Sequence, residues 1–348
     1  VNRAFHPLSV CRVERLTADA VAITFAVPER LAAAFAFAPG QSLTLRHGTD
    51  RRSYSICSPL GAAPRIGVRE VPGGEVSGWL TTEVRTGDVI DVQAPRGHFT
   101  PELGTPAHHL LIAAGSGITP LLSIASSVLA AHHGSQVTLV YGNRRSDTVM
   151  FVDDLADLKD MYPARIRIVH VLSREPRDAE LFNGRLDAAR LRKLLPVMVD
   201  VTSVGHWWLC GPIGLLTDAA TVLGEHGVAA DRIHRELFWL GDDPPRPVTR
   251  PETATAAVAE VTVVLDGRAT AVRMPEGATV LEATQRSRPD VPFACRGGVC
   301  GTCRARVVHG SARMRCNHAL DPDEVAAGYV LTCQAEALTD RLTVDYDA

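Results

Sequence analysis

The 348-residue chain predicts a multidomain fold: a small antiparallel β-barrel, an α/β domain with a parallel sheet, and a compact α+β domain. Three observations carry that division. Short strand-like runs punctuated by Gly and Pro fill residues 1–103, and apolar strands alternating with helical patterns fill 104–241. Beyond these, four of the eight cysteines fall into a single spaced pattern between Cys295 and Cys333.

The bulk composition sets the class. Hydrophobic residues make up 46% and the net charge is −3, so a soluble globular chain is expected. Nucleic acid is excluded as the main partner, because phosphate binding needs a basic surplus. The opening VNRAFHPLSV lacks the apolar run and small-residue cleavage site of a signal peptide, which places the chain in the cytoplasm. Residues 110–131 carry no charge, but Gly115-Ser-Gly117 and Pro120 interrupt them. They read as a buried strand, turn and helix, so no membrane is expected.

In order along the chain, VERLTADAVAITFAVP (13–28), QSLTLRHG (41–48), RRSYSICS (51–58), RIGVREV (65–71) and DVIDVQAP (88–95) give the barrel strands. LLIAAG, VTLVYG, RIRIVHVL and HWWLCG supply the parallel sheet, with helices over ITPLLSIASSVLAA (118–131) and VMFVDDLADLKDMY (149–162). A Pro- and Thr-rich linker is expected over 242–257. The last domain, 258–348, opens with EVTVVLDGRATAVRM, two strands around an Asp266-Gly267 turn, followed by a helix over 278–287.

Cys295-x4-Cys300-x2-Cys303 with a distant Cys333 is the plant-type spacing for a [2Fe–2S] cluster. Four thiolates must converge from a tight loop, and Gly297, Gly298 and Gly301 let that loop wrap closely with amides turned toward sulfur. A structural zinc site is the alternative, but it usually pairs two CxxC knuckles and only Cys300/Cys303 form one. Cys316 lies outside the pattern and reads as a bystander, and His98, His132, His133 and His206 show no ligand spacing.

A one-electron centre of low potential needs a strongly reducing source. Nicotinamides deliver electron pairs as hydride, and a flavin converts pairs to single electrons, so the upstream domains should hold FAD and a nicotinamide nucleotide. Arg52-Ser53-Tyr54-Ser55 would present an aromatic face and a hydroxyl to the flavin ring, with Arg52 on the pyrophosphate. Gly73-Gly74-Glu-Val76-Ser77 would open a helix whose first amides and Ser77 hold phosphate. Gly115-Ser-Gly117-Ile118-Thr119-Pro120 follows a strand and opens a helix, the phosphate-cradling arrangement of a dinucleotide fold, though with proline where the third glycine usually stands. Strand ends add Gly142-Asn143-Arg144, Ser173-Arg174 and Cys210-Gly211-Pro212, which would face one crevice. Arg174 suits a 2′-phosphate and so NADPH over NADH, the alternative being a solvated surface arginine.

These motifs, together with GHF (97–99) and Glu236-Leu-Phe238, in this order resemble the ferredoxin–NADP reductase superfamily with a C-terminal plant-type ferredoxin domain. Within it, ITFAVP (23–28), ADLKDMYP (156–163) and DPDEVAAGYVLTCQ (321–334) look most like the reductase subunits of ring-1,2-phenylacetyl-CoA epoxidases. The resemblance implies a β-grasp fold for the last domain and an NADPH-dependent electron supplier to a separate di-iron oxygenase. It also implies that Ser55, Cys210 and Glu236 surround the hydride-transfer locus and that Phe238 lies beside the cofactor. The chain has no Glu-x-x-His pair, so di-iron chemistry belongs to a partner. Two alternatives stay open: a reductase for a steroid hydroxylase or Rieske dioxygenase, and a redox-sensing binding module.

Overall fold

The computed structural model describes residues 4–48, 50–239, 257–320 and 322–348. The expected linker, 242–257, lies outside the described residues but for Ala257. The chain divides into two compact units, Val1–Asp242 and Asp243–Ala348.

The first unit opens with β1 (Phe5–Thr17), β2 (Ala20–Ala26), β3 (Ser42–His47), β4 (Asp50–Ser55), β5 (Arg65–Arg69), α1 (Glu75–Thr82) and β6 (Val89–Gln93). The strands form one antiparallel sheet in the order β4-β3-β6-β1-β2-β5. A bridge between Ile56 and Ile66 joins its two edges and closes the barrel. The core follows a period of two: Leu8/Val10, Ile23/Phe25, Leu43/Leu45, Ile66/Val68 and Ile90/Val92 all point inward and are buried. Helix α1 adds Val76 and Leu80 to that core.

The same unit continues with β7 (His108–Ala114), α2 (Ile118–Ala131), β8 (Gln136–Asn143), α3 (Val152–Met161), β9 (Ile166–Leu172), α4 (Ala188–Met198), β10 (His206–Pro212), α5 (Ile213–Glu225) and β11 (Ile233–Trp239). The strands are parallel, in the order β11-β10-β7-β8-β9. Central β7 buries Leu110, Leu111, Ile112 and Ala113 on both faces, and α2 is buried along most of its length. That accounts for the uncharged run at 110–131. Among the described residues, no helix is long and apolar enough to cross a membrane. Helix α3 begins three residues later than the helix expected at 149–162. Phe151 takes a left-handed conformation (φ 59°), which breaks the helix and lets Val149, Met150 and Phe151 enter the core.

The second unit holds β12 (Ala257–Leu265), β13 (Arg268–Pro275), α6 (Val280–Thr284), β14 (Arg304–His309), β15 (Ala312–Met314), α7 (Pro322–Ala326), β16 (Tyr329–Leu331), β17 (Ala335–Ala337) and β18 (Arg341–Asp345). A mixed sheet, β13-β12-β18-β14-β16, packs on α6 in a β-grasp arrangement, with Val280 and Leu281 in its core. The β12–β13 turn is the expected one: Asp266 and Gly267 both have positive φ (51° and 69°), and the Asp347 carboxylate accepts from both amides. Helix α6 is shorter than the expected 278–287. A capping box of Thr279 and Glu282 starts it, and Arg288 turns back onto the carbonyls of Leu265 and Arg268.

Gly117, between β7 and α2, sits so close to β10 that a Cβ there would lie 2.3 Å from the Cys210 carbonyl oxygen. Gly117→Ala is expected to destabilise the first unit by about 1–3 kcal/mol, since backbone cannot yield cheaply to overpacking. Gly224→Ala, in α5 where a Cβ meets nothing, is expected to raise the thermal midpoint slightly. Opposite shifts in differential scanning calorimetry check the pair; equal shifts would contradict the close approach.

Candidate functional site

The strand order fixes where a ligand can sit. From β7 the chain runs through β8 and β9 to one edge of the sheet, then returns to place β10 and β11 on the other side of β7. The carboxyl ends of β7 and β10 therefore flank a switch point, where helices leave on opposite faces and open a crevice. Gly115–Pro120 follows β7, and Cys210-Gly211-Pro212 ends β10. Helix α5 starts without a side-chain cap, so its first amides remain available to an anion, whereas at α2 the Ile118 amide already donates to the Gly115 and Ser116 carbonyls and Pro120 has none to offer. The Tyr141 hydroxyl donates to the Gly115 carbonyl at 2.9 Å and steadies the loop from β8. Gly142 keeps the β8 end slim, since a Cβ would lie 2.8 Å from Leu186.

Three residues from three strands converge beside the crevice. Parallel pairing sets Cys210 opposite Glu236, and the end of β4 brings Ser55 across from the barrel. The Ser55 hydroxyl donates to Glu236 Oε2 at 3.2 Å, and the Cys210 thiol reaches the same oxygen at 3.9 Å. Burial pushes the Glu236 carboxyl up to about 8, against the opposing pull of these two hydrogen bonds. Cys210 is buried and its thiol is pushed up by burial and by the Glu236 charge.

The remaining residues expected to meet nucleotide and flavin are placed as follows. Ser173 and Arg174 donate their backbone amides to Asn143 and Arg144 at 2.9 and 2.8 Å, so the ends of β8 and β9 lie side by side. The guanidinium groups of Arg144 and Arg174 are exposed and have no partner among the described residues. Asn143 is 8% exposed, and its side chain faces the Tyr141 hydroxyl, with no hydrogen bond of good geometry to either amide atom among the described residues. A buried amide so poorly bonded is costly, and a bound nucleotide could complete its hydrogen bonds. On the barrel rim, Ser53 bonds to Thr44 at 3.0 Å, Arg52 lies 3.5 Å from Asp50, and burial raises the Tyr54 phenol pKa. Gly73 (φ 72°) and Gly74 form the turn that opens α1, leaving its first amides without a side-chain cap. The Ser77 hydroxyl accepts from Val71 N and donates to the Gly74 carbonyl, so it braces the turn and α1's amides are what remains for phosphate. Phe238 packs partly buried against the α/β core.

In the second unit, the Cys295–Cys303 loop brings its thiols together with Cys333. Cys295 is within hydrogen-bonding reach of Cys300 and Cys333, and Cys333 of Cys303. The amides of Gly297 and Val299 donate to Cys295 Sγ at 3.3 and 3.4 Å. Hydrogen bonds from Cys300 and Cys333 hold the Cys295 thiol well below its ordinary pKa, while Cys300 is pushed up. Arg296, Gly298 and Gly301 all take positive φ, which coils the loop. Four thiolates at the plant-type spacing fit a [2Fe–2S] cluster, two sulfurs to each iron, whereas a structural zinc usually takes two CxxC knuckles. Sequence reasoning passed over Gln334 and set Cys316 aside. Both side chains lie against the loop, and no spacing rule announces them.

Comparison with known proteins agrees with this layout. The family model for the oxidoreductase FAD-binding domain matches residues 7–100, that for the oxidoreductase NAD-binding domain 111–221, and that for the 2Fe-2S iron-sulfur cluster binding domain 263–338. The chain is 41% identical to a subunit of the 1,2-phenylacetyl-CoA epoxidase of Escherichia coli (strain K12), covering 99% of this chain and 98% of that protein. It is 35% identical to the ferredoxin reductase component of 3-ketosteroid-9-alpha-monooxygenase of Rhodococcus rhodochrous, covering 97% and 96%. Phthalate dioxygenase reductase shares the fold, with a TM-score of 0.62 at 24% identity over 98% of each chain. Motifs, architecture and relatives agree: the chain is an oxidoreductase with FAD-, NAD(P)- and [2Fe–2S]-binding domains, and it belongs to the ferredoxin–NADP reductase superfamily, in the branch of oxygenase reductase components that end in a plant-type ferredoxin domain.

Proposed function

We propose that the chain takes reducing equivalents from NADPH and supplies them singly to a di-iron oxygenase that epoxidises phenylacetyl-CoA. The convergence of Ser55, Cys210 and Glu236 at the switch point carries this reading, because it puts barrel and sheet residues around one spot. FAD supplies the exchange between paired and single electrons, and the [2Fe–2S] cluster supplies a one-electron outlet.

The chain's own residues bind, align and exclude water. Arg52 and the first amides of α1 would hold the flavin pyrophosphate, and Tyr54 and Ser53 would offer the flavin ring an aromatic face and a hydroxyl. The Gly115–Pro120 turn, with Asn143 and Arg144, would hold the nucleotide. Glu236 keeps a proton on its carboxyl at neutral pH, so no carboxylate charge stands in the enclosed locus beside Ser55 and Cys210. Alignment at near-attack distance supplies roughly 7–11 kcal/mol in such reactions. Cys295, Cys300, Cys303 and Cys333 hold the cluster.

Arg174 supports NADPH as the donor. The neighbouring Glu175, an acidic group of the kind that reads an unphosphorylated ribose, is committed to the amide and hydroxyl of Ser146 at 2.8 Å each. The higher identity to the epoxidase subunit than to the ketosteroid monooxygenase component supports phenylacetyl-CoA epoxidation over steroid hydroxylation.

Mixed with the oxygenase subunits of phenylacetyl-CoA epoxidase, the chain is expected to sustain NADPH- and phenylacetyl-CoA-dependent product formation; coupling only with a steroid hydroxylase would overturn the substrate assignment. Arg174→Ala is expected to raise the KM for NADPH roughly tenfold or more, about one lost charge-assisted contact, and to leave that for NADH nearly unchanged. Parallel steady-state kinetics decide it, equal effects refuting the 2′-phosphate role. Glu236 yields a linkage test. With a folded pKa near 8 against an ordinary 4.5, the native state binds more protons than the unfolded state between those values. Its contribution to stability is therefore full at low pH and declines as pH rises from about 4.5 to about 8. The melting temperature of wild type minus that of Glu236→Gln should fall across this window and level off above it. A pH-independent difference would show that Glu236 titrates normally.

A further inference from the structure

Gln334 directly follows Cys333 and is buried against the cysteine loop, 9% exposed. Its Nε2 donates to the Arg296 carbonyl at 2.8 Å and lies 3.7 Å from Cys333 Sγ. Its Oε1 accepts from the Cys316 thiol at 3.2 Å. A carbonyl can only accept, so the Arg296 oxygen fixes which end of the amide faces the loop, and Oε1 is left for the thiol. The Gln334 backbone is held as well, since its amide donates to Leu331 O and its carbonyl accepts from Arg315 N. The side chain therefore ties the residue after the last cysteine of the motif to the residue after the first.

The loop is shaped to receive this tie. Arg296 sits at φ 54°, a conformation that a non-glycine residue keeps only when its surroundings enforce it. At Gly298 (φ 74°), a Cβ would lie 3.0 Å from Gln334 Cγ and 3.2 Å from Cys316 Sγ, so only a glycine lets both side chains close on the loop. The Cys316 thiol also faces the Gly297 carbonyl at 3.7 Å. Cys316 is therefore the far end of a relay that reaches the cluster sulfurs through one amide.

We propose that Gln334, oriented by Cys316, is a positioning residue that locks the cysteine loop and raises the reduction potential of the centre it holds. An N–H aimed at a ligand sulfur stabilises the added negative charge of the reduced state, and removing it favours the oxidised state. The proposal rests on the cluster assignment made under Proposed function.

The test uses the full chain carrying FAD and cluster, poised with redox dyes at the wild-type midpoint and read by the electron paramagnetic resonance of the reduced cluster. In Gln334→Leu the reduced-to-oxidised ratio is expected to fall about tenfold, equivalent to about 59 mV for one electron, with altered g-values. Cys316→Ala should shift the ratio in the same direction by less, and Cys316→Ser, which keeps an O–H donor, should restore it to within about twofold of wild type. The double variant should go no further than Gln334→Leu alone, because Cys316 acts through Gln334. An unchanged ratio in Gln334→Leu, or additive effects in the double variant, overturns the relay. Should Gln334→Leu fail to assemble a cluster, the Cys316 pair decides: identical ratios for Ala and Ser overturn the proposal, and divergent ones support it. Wild type isolated without iron and sulfide overturns the cluster assignment itself, an outcome distinct from a cluster of unaltered potential.

Discussion

The meeting of the barrel with the parallel sheet at Glu236 organises the first unit. One carboxyl accepts from Ser55 on the barrel and is reached by Cys210 on the neighbouring strand, while Gly117 lets the β7–α2 turn press against the Cys210 carbonyl. Each contact depends on the others. A wider turn would displace Cys210, and a displaced Cys210 would leave the carboxyl buried with a single partner. Desolvation outweighs the two hydrogen bonds, and the acid is kept neutral by its surroundings. A carboxyl stays neutral near pH 7 only where water is kept from its charged form.

The second unit solves a different problem with similar means. Thiolates brought close together repel, so the loop must supply dipoles that compensate. It does so with amides turned inward by positive-φ residues, two of them donating to Cys295. Glycine at 298 and 301 adopts such angles at little cost, whereas Arg296 adopts one because Gln334 holds its carbonyl. Backbone conformation and side-chain bonding are thus exchanged for electrostatic relief around the sulfurs.

Much of this is readable from residue order. Period-two burial in the barrel, the alternation of apolar strands and helices, and the turn at Asp266-Gly267 all follow from local chemistry, and the cysteine spacing points to its metal centre directly. What stays hidden depends on distance in the chain. Ser55 and Glu236 are named by motif, but that the carboxyl accepts from the hydroxyl across 181 positions is a property of packing. Helix α3 starts late because Phe151 turns left-handed to fill the core, a tertiary demand that no local propensity encodes. Cys316 looks incidental in the sequence for the same reason: packing sets what it faces, namely an amide from the segment after Cys333.

The uncharged stretch through β7 and α2 bears on how the molecule fails when heated. Its burial on both faces means that any opening of the central sheet releases a long, uncharged and largely apolar segment at once. Where chains so exposed associate with one another faster than they refold, lost material does not return on cooling. Working lifetime at elevated temperature is then governed by how often the sheet parts, a rate set by the barrier to opening and not by the equilibrium between folded and unfolded chains.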